Sequence, residues 1–341
     1  MPLSASFPKS RYDYLPIYNS HHHSRHHYRS RIDILKSRAR ITNLGFLLLS
    51  SFAALSFLFN LSYYLSSPHN ERTLLHHPHS ILATIDRDRT LLGLNHLIIV
   101  PGHAIWKGSN PDKRLDDDEW ILEPYQRGGG RVAAFVKHIE TGADLAMSDD
   151  KSLLVFSGGQ TRRTSTLTEG ESYLNLALSA GFLPNKTTTS LRATTEEHAL
   201  DSYQNLLFSI ARFHEYTGNY PTKITIVGYE MKRRRFTELH RAAIRWPRQK
   251  FHYVGIDAEG EELVLASEGE KQNGYLPYSK DIYGCHEFLQ SKRKSRNPFV
   301  RYHSYYTSAP ELGPLLNWCP GSDVGGETTV FHGPLPWDIS S

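Results

Sequence analysis

The stretch Leu153-Leu154-Val155-Phe156-Ser157-Gly158-Gly159 decides the fold. Four apolar residues with no polar alternation read as a strand buried on both faces. The Ser-Gly-Gly that stops them is a turn in which the backbone can come close to a ligand or another segment. The same grammar recurs upstream in Leu97-Ile98-Ile99-Val100, closed by Pro101-Gly102, and downstream in Ile224-Thr225-Ile226-Val227, closed by Gly228. Helical signals lie between these runs. Arg131 to Ile139 is amphipathic, and Thr168-Glu169-Gly170-Glu171 has the spacing of a capping box opening a helix through Leu178. Thr194-Thr195-Glu196-Glu197 predicts the same for a helix through Phe213, where Leu200, Tyr203, Leu207 and Ile210 form an apolar stripe. A last helix from about Lys232 to Trp246 is followed by Pro247 and a strand from Phe251 to Ile256. Strand and helix in alternation predict an α/β domain over residues 91–260, a parallel sheet with helices on both faces. Residues 261–341 change character, with charged turns giving way to an aromatic, Pro-spotted segment without period, and predict an extension packed on the domain.

Towards the N-terminus the chain stops looking globular. From Ile41 to Asn70 there is no Asp, Glu, Lys or Arg, and residues 44–65 (LGFLLLSSFAALSFLFNLSYYL) are mostly Leu, Phe and Ala. As a helix they reach roughly 33 Å, which matches a hydrocarbon core of about 30 Å. Tyr63 and Tyr64 sit where an interfacial aromatic belt would place them. Residues 1–42 carry eight Lys and Arg against two Asp, whereas the rest of the chain is net −2. That asymmetry excludes a basic nucleic-acid-binding domain and, by the positive-inside rule, keeps the N-terminus cytosolic. The apolar run is longer than a cleaved signal core and begins late. The expected organisation is a disordered basic cytosolic arm (1–43), a transmembrane signal anchor (44–65) with the lipid bilayer as partner, and a stalk (66–90). The topology is type II, with the folded domain in the lumen of the endoplasmic reticulum or Golgi. Two features agree with it. Asn185-Lys186-Thr187 is a glycosylation acceptor, and the only cysteines, Cys285 and Cys319, both lie on the proposed lumenal side, as one bridge or as two buried thiols. The run His21-His22-His23 with His26 and His27 lacks a second ligand cluster, so no metal site is expected and the arm reads as a solvated tail.

In parallel sheets ligands sit outside the carboxyl ends of the strands. Arg162 and Arg233, each soon after a strand end, have the fork geometry for phosphate or carboxylate oxygens. Ser202 and Asn205, three residues apart on a helix, can read a sugar hydroxyl. Glu169 and Glu196 are the candidate acid, base or metal partner, with helix capping as their plain alternative. Lys232 to Arg235 reads as a solvated helix face, with a phosphate clamp as the alternative because the helix dipole disfavours cations there unless an anion is near. Asp116 to Glu119 reads as a solvated loop, and Gly128-Gly129-Gly130 as a turn before a helix. Ser157 stands in no nucleophile elbow; tight-turn geometry or an oxygen contact is its expected duty.

Taken in order, Ser157-Gly158-Gly159-Gln160-Thr161-Arg162, Glu169, Asp201-Ser202-Tyr203-Gln204-Asn205 and Tyr229-Glu230-Met231-Lys232-Arg233 resemble the pattern of the SanA, ElyC and YdcF type domain of unknown function, in its eukaryotic membrane-anchored branch. The resemblance covers about Leu97 to Ile244. It implies a Rossmann-like domain with a small-molecule site, and bacterial relatives connected with envelope integrity. It places site residues at Gly102, Arg131, Ser157, Gly158, Gly159, Glu169, Glu196, Ser202, Asn205, Met231 and Arg233. Glu230 stands where the family often has His, and Gln204 where it usually has Glu, so a mechanism resting on that His does not carry over unchanged.

Two functions follow. The first is a lumenal domain that binds or transforms a phosphate-bearing or nucleotide-like small-molecule anion, with a nucleotide or S-adenosylmethionine as the candidate ligand, in glycan or lipid-carrier metabolism. The second is a non-catalytic scaffold that holds a secretory-pathway protein. The sequence names no reaction.

Overall fold

The computed structural model describes residues 31–66, 84–184, 191–258, 263–321 and 326–338. The chain divides into two units, residues 1–68 and 69–341, which are described separately. The first holds α1 (Arg31–Ser66). Within it Thr42–Tyr63, with mean hydropathy 2.0 and no burial, is long and apolar enough to cross a membrane. Composition predicts disorder as far as residue 43, but the helix starts at Arg31. No Gly or Pro separates Arg31 from Gly45, so a helix nucleated in the apolar run propagates back through good helix formers.

In the second unit five strands form one parallel sheet: β1 (His96–Pro101), β4 (Ser152–Ser157), β5 (Ala193–Glu196), β6 (Lys223–Gly228) and β7 (Phe251–Gly255). Their spatial order is β5-β4-β1-β6-β7. A separate two-stranded ribbon pairs β2 (Ile105–Trp106) with β3 (Trp120–Ile121). All six residues of β1 and of β4 are buried, as an apolar run without alternation requires. Successive side chains go to opposite faces. Ile98, Val100, Leu154 and Phe156 pack with α2 (Arg131–Ser148) and α3 (Glu169–Ser179). Leu97, Ile99, Leu153 and Val155 pack with α4 (Ser202–Thr217) on the other face. The domain is therefore α/β and Rossmann-like, with helices on both faces of the sheet.

Two local readings change. Thr168 caps α3 as expected, its side chain accepting from Glu171 N at 2.9 Å. Thr194-Thr195-Glu196-Glu197 opens no helix: residues 193–196 are β5, with Thr194 opposite Val155 and Glu196 opposite Ser157 on β4. Adjacent β-branched threonines suit extended backbone beside a waiting strand. The cap falls instead on Asp201, whose carboxylate accepts from Gln204 N at 2.9 Å. Residues 232–246 do not form one α-helix either. A 3₁₀ turn (Glu230–Lys232) leads into a π-helical segment (Arg235–His240) and a single α-helical turn (Arg241–Ala243).

The C-terminal extension is part of the core. It contains α5 (Leu263–Glu270), a π-helical turn (Lys271–Tyr275), α6 (Leu276–Lys280) and α7 (Glu287–Ser295). Tyr278, Tyr283, Tyr305, Leu315, Phe331 and Trp337 are buried in the same cluster as α4. Tyr283 donates to Ala243 O and accepts from Phe331 N, and Trp337 Nε1 donates to Ile244 O. Cys285 and Cys319 form a disulfide with Cα atoms 5.9 Å apart. The glycosylation acceptor Asn185 lies outside the described residues, as does the arm before Arg31.

Candidate functional site

The chain leaves β1 towards the face that carries α2 and leaves β6 towards the face that carries the π-helical segment. Between such diverging loops a crevice opens at the carboxyl ends of the strands. A cavity of about 660 Å³ lies there, within the size range of small-molecule sites. Its wall is built from the loops after β1 and β6, the starts of α2, α3 and α4, and residues of α5, α6 and α7.

Seven of the residues expected from sequence line this cavity: Gly102, Arg131, Arg162, Glu169, Ser202, Asn205 and Met231. Gly102 and Gly158 are small because of Glu169. A Cβ added to either would fall 2.5 Å and 2.7 Å from the Glu169 Cβ, so the absent side chains let the start of α3 press between two strand ends. Gly159 packs less tightly on another backbone, its added Cβ meeting Ala199 O at 3.0 Å. The Glu169 carboxylate accepts from Thr161 Oγ1 at 2.5 Å. Gly128, Gly129 and Gly130 all take left-handed φ in the turn that delivers Arg131 to the head of α2. Arg162 reaches the cavity already engaged, with Nη1 2.5 Å from Glu123 Oε1. Ser202 Oγ lies 2.7 Å from His240 Nε2.

Five expected residues are not in the lining: Gly158 and Gly159, packed as just described, and Arg233, Glu196 and Ser157. Arg233 is drawn off the cavity: its guanidinium forks onto Glu230 at 2.6 Å through both oxygens, donates to Tyr253 O at 2.8 Å and lies over the Tyr253 ring. Glu196 and Ser157 form a buried layer behind the wall. Glu196 accepts from His198 N at 2.7 Å and from the Tyr305 hydroxyl at 3.0 Å. Burial outweighs these bonds and pushes its carboxyl up to about 7. Ser157 Oγ lies 2.7 Å from Glu196 Oε2 and 2.9 Å from Asn205 Oδ1. One hydroxyl proton cannot serve both acceptors. A protonated Glu196 donating to Ser157, which donates on to Asn205, satisfies all three. The capping role weighed for Glu196 is replaced by this relay to a residue of the wall.

The residues missed in the sequence are mostly cations. Lys232, Arg235, Lys292 and Arg296 all line the cavity, with Glu270 ion-paired to Arg235 at 3.3 Å. The run Lys232 to Arg235 is thus not one solvated face. Arg234 is exposed and paired with Glu238, while Lys232 and Arg235 turn inward. Lys292 and Arg296, four residues apart on and just beyond α7, share one helix face. Lys292 donates to Asn273 O and Arg296 to Leu200 O. Neither they nor Lys232 has a carboxylate partner among the described residues. Desolvation, then the charges of Arg235 and Arg296, bring the Lys232 amine down to about 7, and burial with Arg296 and Arg235 lowers Lys292 too. His103 also faces the cavity, stacked on Tyr229 with ring centroids 5.1 Å apart. Its Nδ1 lies 3.4 Å from Lys232 Nζ, and its buried Nε2 has no partner. Burial and then the Lys232 charge hold it well below the usual imidazole value. Its signal in the sequence is its place directly after Pro101-Gly102.

Six cationic side chains stand against three acidic ones around one cavity of an α/β domain, with aromatic rings beside them. The chain is 31% identical over 259 residues to the uncharacterized protein YOR238W of Saccharomyces cerevisiae, an alignment that covers 61% of this chain and 86% of the yeast protein. It belongs to the family of that protein. No family model matches the chain, and no solved structure does.

Proposed function

We propose that this chain is a single-pass, membrane-anchored member of the SanA, ElyC and YdcF type family whose folded domain binds a phosphate-bearing or nucleotide-like small molecule on the lumenal side of the secretory pathway. The observation that carries the ligand class is the convergence of Lys232, Lys292 and Arg296 on the cavity without carboxylate partners among the described residues. Arg296 is exposed, but Lys232 and Lys292 are desolvated, and desolvated cations without a counter-ion are costly unless an anion completes them. Tyr229, Phe135 and His103 give an aromatic wall next to that charge, which suits a planar base or nicotinamide-sized ring. Asn205 and Ser202 offer groups for ribose or sugar hydroxyls. The basic first 42 residues, the apolar helix and the disulfide, a bond favoured by oxidising compartments, support the type II topology.

Full-length protein in lipid nanodiscs, heated with inorganic pyrophosphate, nucleotides, sugar nucleotides or S-adenosylmethionine, tests the ligand class. Ligand at 100-fold excess over its Kd raises stability by about 2.7 kcal/mol. An unmoved transition with every class counts against binding. Topology is read separately: endoglycosidase shifts the mass of the protein if Asn185 is lumenal and leaves it unchanged if the domain faces the cytosol.

A further inference from the structure

The Lys232 side chain combines features that an anion clamp does not need. The residue lines the cavity, and its amine has no carboxylate partner among the described residues and stands 5.3 Å over the Tyr229 ring with His103 Nδ1 at 3.4 Å. Arg235, Lys292 and Arg296 line the same cavity and already offer cationic contacts to a phosphate. Resting on the anion-binding assignment above, we infer that Lys232 is a nucleophilic amine and that the pocket takes a carbonyl compound bearing a phosphate group, held by those cations while Lys232 Nζ forms a Schiff base with its carbonyl carbon.

The chemistry needs no co-reactant. The Lys232 lone pair forms the N–C bond while the carbonyl π pair moves to oxygen. The two amine protons pass to that oxygen, the C–O bond breaks, and water leaves as the C=N bond closes. A neutral amine is required at the first step. Such an amine arises where a lysine is desolvated beside other cations. Lys232 is near half-neutral at pH 7, given its value of about 7. The groups that set that balance come from every wall: Arg235 on its own segment, Glu169 at the start of α3, Glu270 on α5, Arg296 beyond α7, and His103 and His138 from the β1 loop and α2. His103 is a positioning residue here. Accepting one amine N–H through Nδ1, it turns the lone pair of nitrogen towards the cavity.

Pyridoxal 5′-phosphate is a suitable probe because it carries an aldehyde and a phosphate on one small ring. Full-length protein in nanodiscs is treated with it at pH 7, reduced with borohydride, digested and mapped by mass spectrometry. An ordinary lysine is neutral in only about one molecule in 2,500 at that pH. The expected result is modification of Lys232 at least about a hundredfold faster than exposed lysines. It is suppressed by pyrophosphate, weaker with pyridoxal lacking the phosphate, and half-maximal near pH 7. Lys232→Arg, which removes the primary amine, abolishes the adduct in a variant that still melts as a folded protein. Modification spread evenly over exposed lysines, with Lys232 unlabelled and the pyrophosphate shift intact, overturns the Schiff-base assignment and leaves anion binding standing. Loss of both the adduct and the shift overturns the two together.

Discussion

The cavity has two walls of opposite construction. On the wall made by the strand ends most polar groups are paired within the wall, Lys232 and the buried His103 Nε2 apart: Glu169 takes the Thr161 hydroxyl, Arg162 takes Glu123, and Asn205 closes a chain of bonds running back to Glu196. On the wall made with the C-terminal extension Lys292 and Arg296 give hydrogen bonds, among the described residues, only to backbone carbonyls. The difference teaches that the strand ends hold the shape of the pocket while the extension adds two cations, Lys292 and Arg296, that no carboxylate answers among the described residues. Substitutions on the first wall should move stability, and substitutions on the second should move affinity.

The largest expected effect is on the extension as a folding element. Removing residues 261–341 strips Tyr278, Tyr283, Tyr305 and Trp337 from the core, and buried aromatic truncations cost about 3–5 kcal/mol each. The shortened domain is expected to lose its near-ultraviolet circular dichroism. Next comes the disulfide: Cys285→Ser with Cys319→Ser should cost about 3 to 4 kcal/mol on the chain-entropy model, read by urea denaturation.

Glu196 sharpens the comparison through pH. Its folded value is raised above the ordinary carboxyl value, so the folded state holds a proton that the unfolded state has released. Its contribution is therefore fully present below about pH 4.5 and declines as pH rises to about 7. The buried His103 and His240, whose values are lowered, act oppositely below the imidazole range. The difference between wild type and Glu196→Gln isolates the carboxyl. That difference should change between pH 4.5 and 7 and stay constant above. A flat difference across that interval would contradict the buried proton.

Smaller in stability is Gly102→Ala, whose new Cβ meets the Glu169 Cβ at 2.5 Å. The strain should cost about 1–3 kcal/mol and displace the Glu169 carboxylate, lowering melting temperature and ligand affinity together. Smallest on folding are Lys292→Ala and Arg296→Ala, which should leave the melting temperature nearly unchanged. Each should weaken anion binding by about 1.5–3 kcal/mol, the range for charge-assisted hydrogen bonds, as measured by calorimetric titration.

Much of the first wall was legible in sequence, because buried parallel strands leave uninterrupted apolar runs and glycines at their ends. LIIV-PG, LLVF-SGG and ITIV-G located three strands and the crevice beside them. The β5 strand was not legible: Thr194-Thr195-Glu196-Glu197 satisfies a capping pattern as well as a strand, and only pairing with β4 selects the second. Arg233 was misplaced because its nearest partner, Glu230, lies three residues away on its own turn and competes locally for the fork. The second wall left no period to read. Lys292 and Arg296 sit in the run SKRKSR, and their meeting with Lys232 and Arg235 depends on how the extension folds back on the sheet, which spacing alone does not encode.

The most direct test titrates pyrophosphate into the full-length protein and into its Lys292→Ala, Arg296→Ala double variant at equal ionic strength. One saturable site in the native protein, lost in a double variant that still melts as a folded protein, is the outcome expected. Equal binding by the two proteins, or none by either, would contradict the claim that the extension arms the pocket for an anion.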